Sequence, residues 1–140
     1  MDTVRRKFPS LRYWAHIDSA GAFASTLCIM HCFATAALGF LLPAFGLSLF
    51  GSEALHRALA GIVIAVALLA FVPGFRLHRD VSVAAPALIG FASLILAQFL
   101  GEAVGELGEA ALTILGGGVL IAAHVRNRRL CKVHRCDRCT

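Results

Sequence analysis

Charged side chains are scarce in this sequence. Only 15% of the residues are Asp, Glu, Lys or Arg, whereas 59% are hydrophobic. A soluble domain averages about 25% charged and about 45–50% apolar residues. With 140 residues the chain forms at most one domain, and so short a chain cannot bury that much apolar surface in water. The composition therefore excludes an ordinary soluble domain and predicts a membrane protein.

Long apolar stretches with at most one charged residue each predict how often the chain crosses the membrane. A membrane-spanning helix needs about 20 apolar residues. Four segments reach or approach that length: residues 17–42, 58–75, 81–100 and 107–125. We therefore expect an all-α, polytopic bundle of four transmembrane helices. A basic segment (1–16) precedes this membrane domain (17–125), and a basic, cysteine-rich tail (126–140) follows it.

Basic residues are almost absent from one side of these spans. Of the 13 Lys and Arg residues, 12 fall in the N-terminal segment, the second loop and the tail. Arg57 alone lies in the first loop, and the third loop has none. The positive-inside rule assigns the basic side to the cytoplasm, so we predict that both termini are cytoplasmic. The predicted outer loops also lack cysteine, and the chain's cysteines therefore do not indicate a disulfide framework.

Two cysteines lie four residues apart inside the first span. Cys28 is 11 residues into that span, about 16 Å along a helix and close to the bilayer midplane. Residues i and i+4 share a helix face, so the Cβ atoms of Cys28 and Cys32 are expected about 5–6 Å apart. Two metal–thiolate bonds of about 2.3 Å in line suit that spacing. The pair is thus a candidate dithiolate site for a soft cation, although buried cysteines also occur as small hydrophobes that only pack.

Small and polar residues form a stripe along the same helix. Steps of three and four residues connect its members, which are Asp18, Gly21, Ser25, Cys28, Cys32, Ala36 and Gly39. The bulky residues of this segment fall on other faces: Phe23, Leu27, Met30 and Phe33. Small stripes let membrane helices approach closely, so we expect the cysteines to point into the bundle. His31 lies at the same depth and is a further candidate metal-binding residue.

The tail combines basic residues with three more cysteines. Cys131, Cys136 and Cys139 lie among six Lys and Arg residues, and neighbouring cations favour the thiolate form. Three interpretations stay open: thiolates that receive a soft metal, a closed zinc site completed by His134, or a basic segment in contact with anionic lipid. On the first interpretation the three cysteines are candidate metal-binding residues.

One face of the last span ends in a histidine. This face consists of Thr113, Gly117, Leu120 and His124. Ionisable groups within spans usually face the bundle interior and often mark a pathway, so we add His124 to the candidate metal-binding residues. His56 and His78 lie at the two ends of the second span, where we expect them to anchor the helix at the membrane interface.

Acidic residues gather on the predicted outer side. Glu102, Glu106 and Glu109 follow one another at steps of four and three residues around the third loop. They either attract cations to an outer mouth or form the solvated start of a helix, where carboxylates suit the helix dipole. We favour the second interpretation.

Several motifs together resemble the MerC family of mercury-resistance membrane proteins. The first span resembles that family at Asp18, Gly21, Ser25, Cys28, His31 and Cys32. The segments between spans are similar at Glu53, His56, Arg76, His78 and Arg79. The closing segment is similar from Gly116 onward, including His124, Asn127 and Arg128. The resemblance covers residues 18–128, which is nearly the whole predicted membrane domain.

The resemblance implies a function. It implies a four-span protein of the bacterial inner membrane that takes up mercuric ion, with Cys28 and Cys32 as ligands and the tail thiols as cytoplasmic acceptors. The transported ion would be Hg(II), with Cu(I) or Zn(II) as alternatives, because thiolates suit all three. The implied partners are the lipid bilayer, the metal ion, and a cytoplasmic mercuric reductase or a low-molecular-weight thiol. We expect neither a resident cofactor nor a nucleic-acid partner.

Two other functions stay open at this point. A membrane dithiol–disulfide oxidoreductase also uses a cysteine pair, but it would usually need cysteines near the outer face, where the predicted loops have none. A structural membrane protein would use its thiols for packing alone. We expect a transporter rather than an enzyme.

Overall fold

The computed structural model describes residues 11–38, 41 and 43–136, and most of these are helical. The first helix, α1, spans Leu11–Leu38, and the second, α2, spans Glu53–His78. Two short 3-10 helices lie between them, at Pro43–Phe45 and Ser48–Gly51. The prediction of an all-α protein is confirmed.

The remaining helical stretch, Val81–Cys136, is two helices that meet at Gly105. We name them α3 (81–104) and α4 (106–136). Gly105 has φ 72° and ψ 170°, a backbone conformation that only glycine adopts readily. The chain reverses there without a loop, because one residue carries the whole change of direction.

Contacts between α3 and α4 show that these helices pack antiparallel. The Ser93 hydroxyl donates to the carbonyl of Leu112 at 2.8 Å. A Cβ atom on Gly90 would lie 3.0 Å from the carbonyl oxygen of Gly116. Each contact joins a residue before Gly105 to one after it, and the pair that lies further from Gly105 on one helix also lies further from it on the other. The two facing glycines let the helix backbones approach closely.

Side chains cap the first turns of α2 and α3. The Ser52 hydroxyl accepts from the Leu55 amide at 3.3 Å, and Asp80 Oδ1 accepts from the Ser82 amide at 2.8 Å. Hydrogen bonds from the Ser82 hydroxyl and amide hold the pKa of the Asp80 carboxyl below its ordinary value. The cap is therefore charged, which suits the positive end of the helix dipole. Arg79, with φ 51° and ψ 30°, is the left-handed residue that ends α2.

The four helices alternate in direction. Arg128 donates to the Ser19 hydroxyl at 3.0 Å, so the start of α1 lies beside the end of α4. The turn between α2 and α3 lies at this end too, where Arg126 Nε donates to the Ser82 hydroxyl at 2.6 Å. We call this end, where α1 begins and α4 ends, the terminal end. The opposite end, which carries Gly105 and the α1–α2 connection, is the loop end.

Small residues fill the inside of the bundle and large apolar residues cover its outside. The buried apolar set is dominated by alanines, namely Ala60, Ala67, Ala70, Ala87, Ala97 and Ala123. Phe99 is 82% exposed, Leu107 78% and Phe23 69%, although all three are strongly apolar. A soluble protein avoids such large exposed apolar areas, whereas a bundle in lipid needs them on its surface.

The prediction of four membrane-spanning helices is confirmed. Four helical segments are long and apolar enough to cross a membrane: His16–Leu38, Glu53–Arg76, Val81–Gly101 and Ala103–Val133. The first helix ends at Leu38, short of the predicted residue 42; residues 39, 40 and 42 lie outside the described part. The fourth span is longer than the predicted residues 107–125. Its segment is the longest, with 31 residues, because the helix continues past the apolar stretch into the basic residues.

Replacing Gly105 with Ala should lower the free energy of unfolding by about 1–3 kcal/mol, the usual cost of such a backbone conformation for a residue with a Cβ. No described atom lies within 4 Å of the added Cβ, so backbone strain is the only structural effect. Thermal unfolding of the purified protein in detergent measures the change.

Gly118→Ala is the matched control for this prediction. Gly118 also has open space around it but lies within α4. An alanine there should leave stability unchanged or raise it by up to about 1 kcal/mol, because alanine favours helix. Equal destabilisation by the two substitutions would contradict the account of the α3–α4 turn.

Candidate functional site

The predicted stripe on α1 faces the bundle interior from Asp18 to Cys32. Its members in this range are buried, including Ser25 and Cys28, while Phe23 and the other bulky residues are exposed. The expectation that the cysteines point into the bundle is met. The stripe does not continue toward the loop end, because Ala36 is exposed; Gly39 lies outside the described residues.

Cys28 and Cys32 lie next to each other in the core. Their exposed fractions are 2% and 1%, and both side chains are free thiols. The two thiol groups interact with each other. The helix thus places two sulfur atoms side by side, as the spacing of four residues predicts.

Three side chains from other helices surround Cys32. Its Sγ lies 3.6 Å from Nδ1 of His56 on α2, and the Thr113 side chain on α4 also interacts with this thiol. The other ring nitrogen of His56 lies 3.2 Å from Oε1 of Glu109 on α4. The ring of His31 is 6.2 Å from that of His56, centroid to centroid. The thiol pair therefore has its polar neighbours on the side toward the loop end.

His56 and Glu109 were not singled out as site residues by the sequence. We expected His56 to anchor α2 at the interface and Glu109 to lie in a solvated helix start. The structure places both beside Cys32, because α2 begins at Glu53 and α4 begins just after Gly105. One signal was available: His56, at the start of the second span, is among the residues that resemble the MerC family.

A second polar cluster lies at the terminal end, and Asp18 is at its centre. His124 Nδ1 lies 3.0 Å from Asp18 Oδ1, and the Asn127 amide donates to both carboxylate oxygens at 3.0 Å. The three side chains are 3% or less exposed. His78 Nε2 is 2.9 Å from Asn127 Oδ1, and its Nδ1 accepts from the Asp80 amide at 3.0 Å. A chain of hydrogen bonds thus leads from the α2–α3 turn to the buried carboxylate.

Two glycines make room for this cluster. A Cβ on Gly21 would collide with the His124 ring, and a Cβ on Gly74 would collide with the Asn127 amide. On its other side the His124 ring stacks on Phe71, with centroids 4.3 Å apart. The His124 ring therefore lies between the α1 backbone at Gly21 and the Phe71 ring, and the Asn127 amide packs against the α2 backbone at Gly74.

The sequence-predicted metal-binding residues fall in different places. His124 lies in the terminal-end cluster, away from the thiol pair, and its role as a metal ligand stays a prediction. Cys131 is buried at 6% exposure near the end of α4. The side chain of Cys136 and the whole of Cys139 lie outside the described part. Among the described residues, no three His, Cys, Asp or Glu side chains are grouped closely enough to hold a metal ion together.

Four apolar helices around a buried pair of thiols define a small polytopic membrane protein. The family described as MerC mercury resistance protein matches residues 18–129 of this chain. Because the match covers most of the sequence, the chain belongs to the MerC family of mercury-resistance membrane proteins. Searches among curated proteins and among solved structures gave no match.

Asn127→Ala should lower the free energy of unfolding by about 1–3 kcal/mol, the cost of leaving buried polar partners unsatisfied. The substitution removes two hydrogen bonds to the Asp18 carboxylate and the partner of His78 Nε2. Unfolding of the purified protein in detergent measures the loss.

Arg128→Ala, one residue further along, is the control for the cluster. Arg128 makes an exposed hydrogen bond to Ser19, and exposed polar contacts contribute less than about 1 kcal/mol. If Asn127→Ala proves as mild as Arg128→Ala, the cluster does not stabilise the terminal end.

Proposed function

We propose that this chain is an inner-membrane transporter that takes up mercuric ion and binds it through the thiolates of Cys28 and Cys32. One observation carries the proposal: two buried thiols in mutual contact at the middle of a membrane-spanning helix. Membership of a mercury-resistance family supports mercuric ion as the cargo. The proposal is for transport and not for catalysis.

The geometry of the pair suits an ion that prefers two ligands. Two thiolates on one helix face span the roughly 4.6 Å of two metal–sulfur bonds in line. Two thiolates also neutralise a divalent cation, so the complex carries no net charge into the apolar bundle, where unpaired charge is expensive. His56 and Thr113 are placed to orient the Cys32 sulfur, and His31 is close enough to assist ligand exchange without being a required ligand.

Zinc and Cu(I) fit the thiol pair less well than Hg(II), for different reasons. Structural zinc sites use four ligands, whereas the described part of the chain has no group of three or more His, Cys, Asp or Glu residues that could hold a metal ion. Cu(I) suits two thiolates as well as Hg(II) does. A dithiolate of Cu(I) would keep a net negative charge in the bundle, and this favours the divalent ion.

The proposal includes a direction of transport. The terminal end carries the basic residues Arg76, Arg79, Arg128, Arg129 and Lys132, so the positive-inside rule orients it toward the cytoplasm. Ions would enter from the loop end and leave at the terminal end, where Cys131, Cys136 and Cys139 are the proposed acceptors. A cytoplasmic mercuric reductase or a low-molecular-weight thiol would then remove the ion.

Reporter fusions test the orientation. A reporter after residue 104, beside the α3–α4 turn, should report the outer side, and one at the C-terminus should report the cytoplasm. The expected difference follows from the basic residues at the terminal end. Two fusions that report the same side would contradict the proposed orientation.

Uptake of labelled mercuric ion into cells tests the site. Cys28→Ser and Cys32→Ser should each abolish most uptake, because a serine hydroxyl is a poor ligand for a soft cation. His31→Ala should give an intermediate rate. Replacing Cys131, Cys136 and Cys139 together should leave substantial uptake, because soluble thiols can replace acceptors that lie beyond the apolar part of the bundle.

The amount of each variant in the membrane, measured by immunoblot, is the control for these rates. If Cys28→Ser keeps normal uptake, the thiols only pack and the proposed site is wrong. If the tail variant loses as much uptake as the α1 variants, the tail is part of the path across the membrane.

A further inference from the structure

Two buried polar atoms between α1 and α4 have no hydrogen-bond partner among the described residues. They are the Ser25 hydroxyl oxygen and Nε2 of His124, and both residues are completely buried. Buried polar groups in native proteins are nearly always paired, so an exception needs a reason, such as a place for a water or an ion. Both atoms lie on the interface that also holds the thiol pair.

The surroundings of His124 are those of a metal-binding histidine. Such histidines usually donate their second ring nitrogen to a carboxylate, which fixes the ring and makes the free nitrogen a better ligand. His124 Nδ1 faces Asp18 Oδ1 at 3.0 Å, and Asn127 holds the same carboxylate. Because the carboxylate oxygen accepts, Nδ1 carries the proton. In the neutral ring Nε2 then has a lone pair, and no described donor faces it.

The register of the helices places His124 between the thiol pair and the terminal end. The His124 ring lies against Gly21, which is seven residues, or about 10 Å, before Cys28 on α1. Ser25 lies between these two positions. Cys131 is buried and follows His124 by a further seven residues on α4, about 10 Å nearer the terminal end. Soft or borderline ligands thus follow one another along a single interface.

The charge at this point suits a cation. An ion held by a neutral imidazole keeps its positive charge, which is expensive inside a membrane unless an anion is close. Asp18 supplies that anion, only 3.0 Å from the other ring nitrogen. The described residues near His124 include no group of three or more potential metal ligands, so His124 would hold the ion with few protein ligands.

We propose that Nε2 of His124 is a second, weaker binding site for the transported cation, with Asp18 as its supporting carboxylate. This inference rests on the proposed function, since it makes His124 the next position after Cys28 and Cys32 on the way to the terminal end. The ligand class is a soft or borderline divalent cation, and Hg²⁺ is the probe.

The test uses the full chain in lipid nanodiscs with all cysteines replaced by serine, so that Hg²⁺ cannot bind to thiols. Histidine ¹⁵N NMR during a titration with Hg²⁺ should shift Nε2 of His124 at one equivalent, with Nδ1 still protonated. His124→Asn should abolish this binding, because the asparagine amide can still donate to Asp18 but has no equivalent of Nε2. Asp18→Asn keeps the histidine and should weaken binding about 10- to 100-fold.

His16→Asn is the matched control, since His16 is exposed near the start of the same bundle end, and it should leave binding unchanged. An Nε2 that is protonated before the titration and does not respond to Hg²⁺ would overturn the inference, as would unchanged binding in His124→Asn. In a chain whose three tail cysteines are replaced by serine, the mercury–thiolate absorbance reports the thiol pair separately from His124. Its loss in Cys28→Ser supports the thiol pair, and its absence before that substitution overturns the proposed function alone.

Discussion

The carboxylate of Asp18 lies buried between α1 and α4, and an apolar bundle tolerates such an anion only if its oxygens are hydrogen-bonded. His124 and Asn127 provide those bonds from α4, and His78 on α2 holds the asparagine in turn. Three helices are therefore fixed relative to one another by one charge. The arrangement requires close contact, which Gly21 permits by leaving room for the imidazole ring. Removing any partner would leave a buried charge uncompensated, so we infer that the register of the bundle depends on this cluster.

The same register determines what lies around the thiols. Because α1 and α4 are antiparallel, the contact between Asp18 and His124 at one end brings Cys32 next to Thr113 further along the interface. The two polar regions differ in access. The thiol pair has His56 and its acidic neighbour on the side of the loop end, whereas the carboxylate cluster is connected to the terminal end through the α2–α3 turn. A single interface thus presents different chemistry at its two ends, as a path for an ion requires.

Properties that depend on local sequence were predictable. Hydropathy indicates four helices, and the spacing of four residues places Cys28 and Cys32 on one inward face, because both follow from the geometry of a single helix. Contacts between helices were not predictable in this way. Asp18 and Asn127 are separated by 109 residues, and nothing in the local pattern indicates that they meet. For the same reason His56 was expected at the membrane interface. The turn at Gly105 was also missed, since one glycine among many carries no distinct signal.

The central claim is that Cys28 and Cys32 together bind the transported ion as its only strong ligands. X-ray absorption at the mercury edge tests this most directly, in a chain whose three tail cysteines are replaced by serine and which is loaded with one equivalent of Hg²⁺. We expect the mercury ion to have two sulfur neighbours at about 2.3 Å, and we expect Cys28→Ser to lose this two-sulfur spectrum. Three or more strong ligands, or a spectrum that Cys28→Ser leaves unchanged, would contradict it.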